Sequence, residues 1–121
     1  MRKQQAIIFV SLLMGVVAAA AQAPSQLDRV NVIRDAENVR IEMTASGVVT
    51  PKLSKLDSPA RVVVDLPETV MATGQSHIAV DAAGIKDVRI GMNGQAHPTT
   101  RVVVDLEKAC AISLPGNTST R

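Results

Sequence analysis

Aromatic side chains are almost missing from this 121-residue chain: it has no Trp and no Tyr, and its one Phe is Phe9, in an apolar segment near the N-terminus. Everything after that segment must recognise ligands without an aromatic platform. That excludes aromatic stacking of sugar rings and the base stacking used by single-strand nucleic-acid binders. Cysteine is nearly as scarce. Cys110 stands alone, so no internal disulfide can form, and it is either a small buried hydrophobe or a free thiol. His77 and His97 are the only histidines. With a single Cys they do not make a metal-ligand spacing, and neither a metal nor another cofactor is expected. No G-x-S-x-G elbow is present, and Ser54, Ser58 and Ser76 stand in polar turn contexts where serine is ordinary. No set of residues meets the requirements of an active site, so the chain is expected not to be an enzyme.

The N-terminus has the anatomy of a secretory leader. Arg2 and Lys3 are followed by the apolar run AIIFVSLLMGVV and the small residues AAAAQA. The run is short for a membrane span, which needs about 20 residues, although an uncleaved anchor is the other reading. Pro24 disfavours a cut after Ala23, and cleavage is expected after Ala21. A periplasmic mature chain with no stable membrane insertion follows. Thirteen Lys and Arg less Arg2 and Lys3 is eleven, matching the eleven Asp and Glu. A neutral mature domain gives no support to nucleic-acid binding, which needs a basic surface.

What is abundant is valine and isoleucine. β-branched residues fit a pleated surface better than a helix, and short Val/Ile runs punctuated by Gly, Pro, Asn and Asp signal an all-β domain. Strands are expected near Leu27–Ile33, Asn38–Thr44, Val48–Leu56, Ala60–Leu66, His77–Val80, Ile85–Met92 and Thr99–Leu106, with a weaker one at Ala111–Leu114. The domain is then residues 27–114, preceded by a leader (1–21) and a linker (22–26) and followed by a tail (115–121). Pro51, Lys52 and Lys55 mark an edge strand, since proline cannot donate to a ladder and lysines discourage further pairing.

The chain repeats itself. RVVVDL occurs at Arg61–Leu66 and again at Arg101–Leu106. VRIEM at Val39–Met43 answers VRIGM at Val88–Met92, and VNV at Val30–Val32 answers IAV at Ile78–Val80. From Val39 to Arg61 is 22 residues and from Val88 to Arg101 is 13, so the first half carries an insertion. Each half is too small to bury an apolar face alone, but two can do so by packing sheet on sheet. The expected fold is a small all-β sandwich of two pseudo-symmetric sheets built from a duplicated strand unit.

Strand alternation sorts the repeated words. Val62, Val64 and Leu66 form one face, and Arg61, Val63 and Asp65 the other. Val102, Val104 and Leu106 oppose Arg101, Val103 and Asp105 in the same way. Val39, Ile41 and Met43 point inward, with Arg40 and Glu42 outward, while Arg89 is the outward charge of the second copy. If the halves pack core to core, the two sheets carry similar charged rows on opposite sides, Arg40 with Arg61 on one and Arg89 with Arg101 on the other. Gly91 marks a bulge or a close approach by a ligand.

Two stretches together, VRIEMTASGVVTPKLSKLDSPARVVVDLPE at 39–68 and GIKDVRIGMNGQAHPTTRVVVDLEK at 84–108, resemble the AMIN domain. This periplasmic β-sandwich module stands at the N-terminus of some N-acetylmuramoyl-L-alanine amidases and type IV pilus secretins. The resemblance implies two small sheets with the repeated motifs on their outer faces. It also implies peptidoglycan binding and a role in localising cell-envelope machinery. Carried over by position, Arg61 and Asp65 belong to one motif and Arg89, Arg101 and Asp105 to the other.

Two readings of those charges stay open. Arginine forks suit the carboxylates of peptidoglycan stem peptides, and aspartates accept from amides or amines. Alternatively, the charges form cross-strand ion pairs on a solvated sheet, each worth under about 1 kcal/mol. Arg61 and Asp65 are about 13 Å apart along one strand and cannot pair with each other. A second functional expectation is a protein-interaction module beside cell-division or pilus-assembly proteins, augmented at an exposed strand edge.

Overall fold

The computed structural model describes residues 7–14, 24–35, 38–94, 96–108 and 111–113. Among them there are strands and turns and no helix. The strands are β1 (Ile7–Met14), β2 (Ser25–Asp35), β3 (Asn38–Ser46), β4 (Lys52–Leu56), β5 (Arg61–Pro67), β6 (Thr69–Met71), β7 (His77–Ala82), β8 (Ile85–Asn93), β9 (Thr99–Leu106) and β10 (Ala111–Ser113). One sheet has the order β10-β1-β3-β2-β6 and the other β4-β5-β9-β8-β7.

The sheets face each other across a single core. Val39, Ile41 and Met43 of β3 and Val30 of β2 meet Val62, Val64 and Leu66 of β5, Val88 of β8, and Val102 and Val104 of β9 in one cluster of buried residues. These are the inward residues expected from period-2 alternation. Stiff β-branched side chains line both faces, so the core is filled without aromatic rings. Thr69 and Thr100 are the buried polar residues among those described, and both are satisfied: Thr69 Oγ1 donates to the Pro67 carbonyl at 2.8 Å and Thr100 Oγ1 to the Thr69 carbonyl at 2.9 Å. The second of these bonds stitches the two sheets together at one end.

Element boundaries differ from expectation where the backbone, rather than the pattern, decides. The strand expected at Val48–Leu56 begins only at Lys52. Gly47 has φ +97°, and Pro51 offers no N–H to a ladder, so Val48–Pro51 crosses between sheets while still burying Val49. β4 is an edge strand, as Pro51 and the lysines indicated. β6 was not expected. Glu68, at φ 50°, turns the chain out of β5, and three residues then pair in parallel with β2. Leu114, Cys110 and the tail 115–121 lie outside the described residues, as does the expected cut after Ala21.

The apolar run read as the leader's hydrophobic region forms β1. It lies parallel to β3, from Ile7 opposite Asn38 to Met14 opposite Ala45. Its alternation sends Ile8 and Val10 into the core, at 0% and 5% exposure, and leaves Leu13 exposed.

The largest departure concerns the repeated hexapeptide. Its copies do not lie on opposite faces of the domain. β5 and β9 are antiparallel neighbours in the same sheet, with Val63 opposite Val103. Arg40 therefore does not share a face with Arg61: β3 and β5 belong to different sheets. The physical reason is in the word itself. Read antiparallel against its own copy, R-V-V-V-D places Arg61 opposite Asp105 and Asp65 opposite Arg101. Opposite charges meet at both ends, and valines meet valines between. Parallel pairing in register would set like charges side by side.

Candidate functional site

The five candidate residues share one surface. Arg61 and Asp65 come from β5, Arg101 and Asp105 from β9, and Arg89 from β8, three adjacent strands. Alternation turns all five outward, while Val62, Val64, Val102 and Val104 on the same strands are fully buried. Val63 sits between Arg61 and Asp65 on this outer face, yet it is only 6% exposed.

The arginines are held by carboxylates. Arg101 donates to Asp65 through Nε at 2.7 Å and Nη2 at 3.2 Å, directly across the β5–β9 pair. Arg89 donates to Asp105 through Nε at 2.7 Å and Nη2 at 3.1 Å. This second pair is diagonal, because Arg89 stands opposite Val103 and Asp105 opposite Asp87. Asp105 is thus taken by Arg89 rather than by its register partner Arg61, whose Nη1 donates to the Pro59 carbonyl at 2.9 Å. Both carboxylate pairs are side-on: they use Nε and one terminal nitrogen, and leave the end-on edge of each fork toward solvent.

The electrostatics follow from these contacts. The Asp105 hydrogen bond and charge raise the Arg89 pKa above its ordinary value, and Asp65 does the same to Arg101. The Arg89 hydrogen bond holds the Asp105 carboxyl below the usual carboxylate range, against the opposing effect of partial burial. Asp87 stands directly across from Asp105. Its Oδ2 lies 3.0 Å from His77 Nε2, and its Oδ1 is buried without a hydrogen-bond partner.

Gly91 occupies the position opposite Arg101 on β8. No bulge occurs there; the irregularity in the β8–β9 ladder lies between Ile85 and Asp87. A Cβ added at Gly91 would meet nothing within 4 Å. Gly91 lines an open depression of about 610 Å³, together with His77, Arg89, Met92, Asn93, Arg101 and Val103 among others.

Asp87 and Asn93 were not singled out by sequence reasoning, although the signal was present. Extending the alternation of VRIGM by one step each way puts Asp87, Arg89, Gly91 and Asn93 on one face. His97 is an exposed loop residue, with Nδ1 3.0 Å from Glu68 Oε2. Among the described residues, no group of three His, Cys, Asp or Glu is placed to hold a metal ion, and no helix is long and apolar enough to cross a membrane.

Comparison with known proteins returned no matching curated protein and no matching solved structure. The family model described as the AMIN domain matches residues 29–119, which is most of the chain and spans both copies of the hexapeptide. The resemblance first carried by the paired RVVVDL words is thereby established: the chain belongs to the AMIN domain family, whose members are non-catalytic periplasmic modules for peptidoglycan binding and localisation.

Proposed function

We propose that this chain is exported by its N-terminal 21 residues and acts in the periplasm as a non-catalytic module that binds peptidoglycan and localises envelope machinery. The contact surface is the outer face of the β4-β5-β9-β8-β7 sheet, with Arg61, Asp65, Arg89, Arg101 and Asp105 as the binding residues. The observation carrying this reading is their convergence: five charged residues from three separated sequence words lie on adjacent strands of one sheet. A single charged face, rather than two faces on opposite sides, means that one domain makes one contact with the wall. Avidity would then come from neighbouring copies or attached partners, not from the two words acting separately.

Family membership supports the peptidoglycan assignment. Composition narrows its chemistry. Apart from Phe9 there is no aromatic ring for a sugar to stack on, so arginine forks, aspartates and backbone groups must supply the contacts. Such exposed polar contacts give modest affinity that falls with added salt.

Co-sedimentation with purified sacculi tests the reading. The chain should pellet with sacculi at low ionic strength, and Arg89→Ala with Arg101→Ala should leave it in the supernatant while it still unfolds in one cooperative thermal transition. Wild-type protein that stays in solution would favour the protein-interaction alternative, a module serving division or pilus-assembly proteins alone.

A further inference from the structure

Arg89 and Arg101 flank the same gap. Arg101 stands opposite Gly91 and Arg89 two residues before it on β8, which makes the two arginines diagonal neighbours across the β8–β9 ladder. Diagonal positions of this kind are separated by roughly 7–8 Å. Each guanidinium is fixed from its Nε side, Arg89 by Asp105 and Arg101 by Asp65. A fork held in this way has already lost much of its rotamer freedom, so less ordering remains to be done when a ligand arrives. Its end-on edge still presents two parallel N–H groups, a geometry that matches the two oxygens of a carboxylate.

Both arginines line the depression, and a side chain at residue 91 would enter open space there. Val103, Met92 and Asn93 line it as well. An asparagine amide both donates to a carbonyl and accepts from an N–H, as a peptide bond requires. The small apolar area beside it suits methyl-sized side chains.

We infer that the Gly91 depression is a subsite for short peptides bearing free carboxylates, with the end-on edges of Arg89 and Arg101 binding those carboxylates. This rests on the peptidoglycan reading and specifies which part of the polymer is read: the peptide branch, not the glycan strand. The glycan backbone offers hydroxyls and acetamides, whereas the free carboxylates belong to the peptide. Because Asp65 and Asp105 already neutralise part of each guanidinium's charge, the subsite rejects uncharged peptides more by geometry than by net field.

The test compares intact sacculi with glycan strands stripped of their peptides by an amidase and then amidated at the lactyl carboxylates that this hydrolysis frees, using the full chain. Binding to stripped strands should fall at least tenfold. A soluble stem tetrapeptide should displace the protein from intact sacculi, and the same peptide with its carboxylates amidated should not. Gly91→Leu should abolish pelleting without lowering the melting temperature, since the added side chain enters open space. Equal binding to stripped and intact polymer overturns the carboxylate subsite and leaves the peptidoglycan reading standing. Full binding by the folded Gly91→Leu variant also overturns the subsite. Failure to pellet with intact sacculi overturns both.

Discussion

Asp65 and Arg101 occupy the fifth and first positions of two identical words 40 residues apart, and they meet directly across β5 and β9 with Arg101 Nε 2.7 Å from the carboxylate. The repetition of RVVVDL thus has a structural consequence independent of any ligand. A strand word with arginine at one end and aspartate at the other is its own antiparallel complement. The pair lies on the outer sheet face with the Arg101 side chain 54% exposed, so its energy is small and its value lies in fixing register and orienting the guanidinium.

Reversing one charge of the Asp65–Arg101 pair should cost stability, and reversing both should restore it. Asp65→Arg alone places two arginines across the ladder and should destabilise the fold by about 1 kcal/mol. Adding Arg101→Asp should recover most of that loss. Melting temperatures of the two single variants and the double variant check it. Additive losses in the double variant would mean that the pair does not act as a pair.

Acid should weaken the β8–β9 face through Asp105. Its folded pKa is depressed by Arg89, with Lys86 nearby adding to the effect, so its contribution to stability is present above the unfolded value near 3.8 and is lost as pH falls through the folded value. Arg89 is shifted upward and stays charged throughout. Stability measured by denaturant titration should therefore drop below about pH 4. Asp105→Asn should show a smaller drop over that interval, and an identical pH profile for the two proteins would contradict the expectation.

Inward and outward aliphatic residues of the strands should respond differently. Ile41 and Val102 are fully buried, whereas Val103 faces outward. Ile41→Ala should cost about 2–5 kcal/mol, within the range for deleting buried methyl groups. Val103→Ala should cost less than about 1 kcal/mol, since it removes no core contact. Equilibrium unfolding of both variants checks the order.

Export should change the first sheet. If residues 1–21 are removed, Ile8 and Val10 leave the core and the edge of β3 from Asn38 to Ala45 loses its parallel partner. Mass spectrometry of protein recovered from a periplasm should show a chain starting at Gln22. Amide exchange at Asn38–Ala45 should then be faster than in the full chain. An intact N-terminus in the recovered protein would refute the leader assignment.

Much of the fold was legible because period-2 alternation is written in stiff aliphatic residues: Val62, Val64, Val102 and Val104 point inward as the pattern says. The sheet assignment was not legible. Alternation tells which residues share a face, but not which strand lies beside which. Similarity between halves suggested one hexapeptide per sheet, whereas cross-strand charge pairing brought both into the same one. The site residues were legible as outward charges. Their ion pairs were undecided because Arg89 reaches Asp105 diagonally, a relation that exists only once β8 and β9 are adjacent. The Gly91 depression required the same adjacency.

The most direct measurement is a backbone amide NMR titration of the chain with soluble peptidoglycan fragments. Shifts should concentrate at Asp65, Arg89, Gly91, Asn93, Arg101 and Val103 and be suppressed by salt. Shifts concentrated instead on Asn31, Arg40 and Glu42 of the opposite sheet, or absent at saturating fragment, would contradict binding through the paired-hexapeptide face.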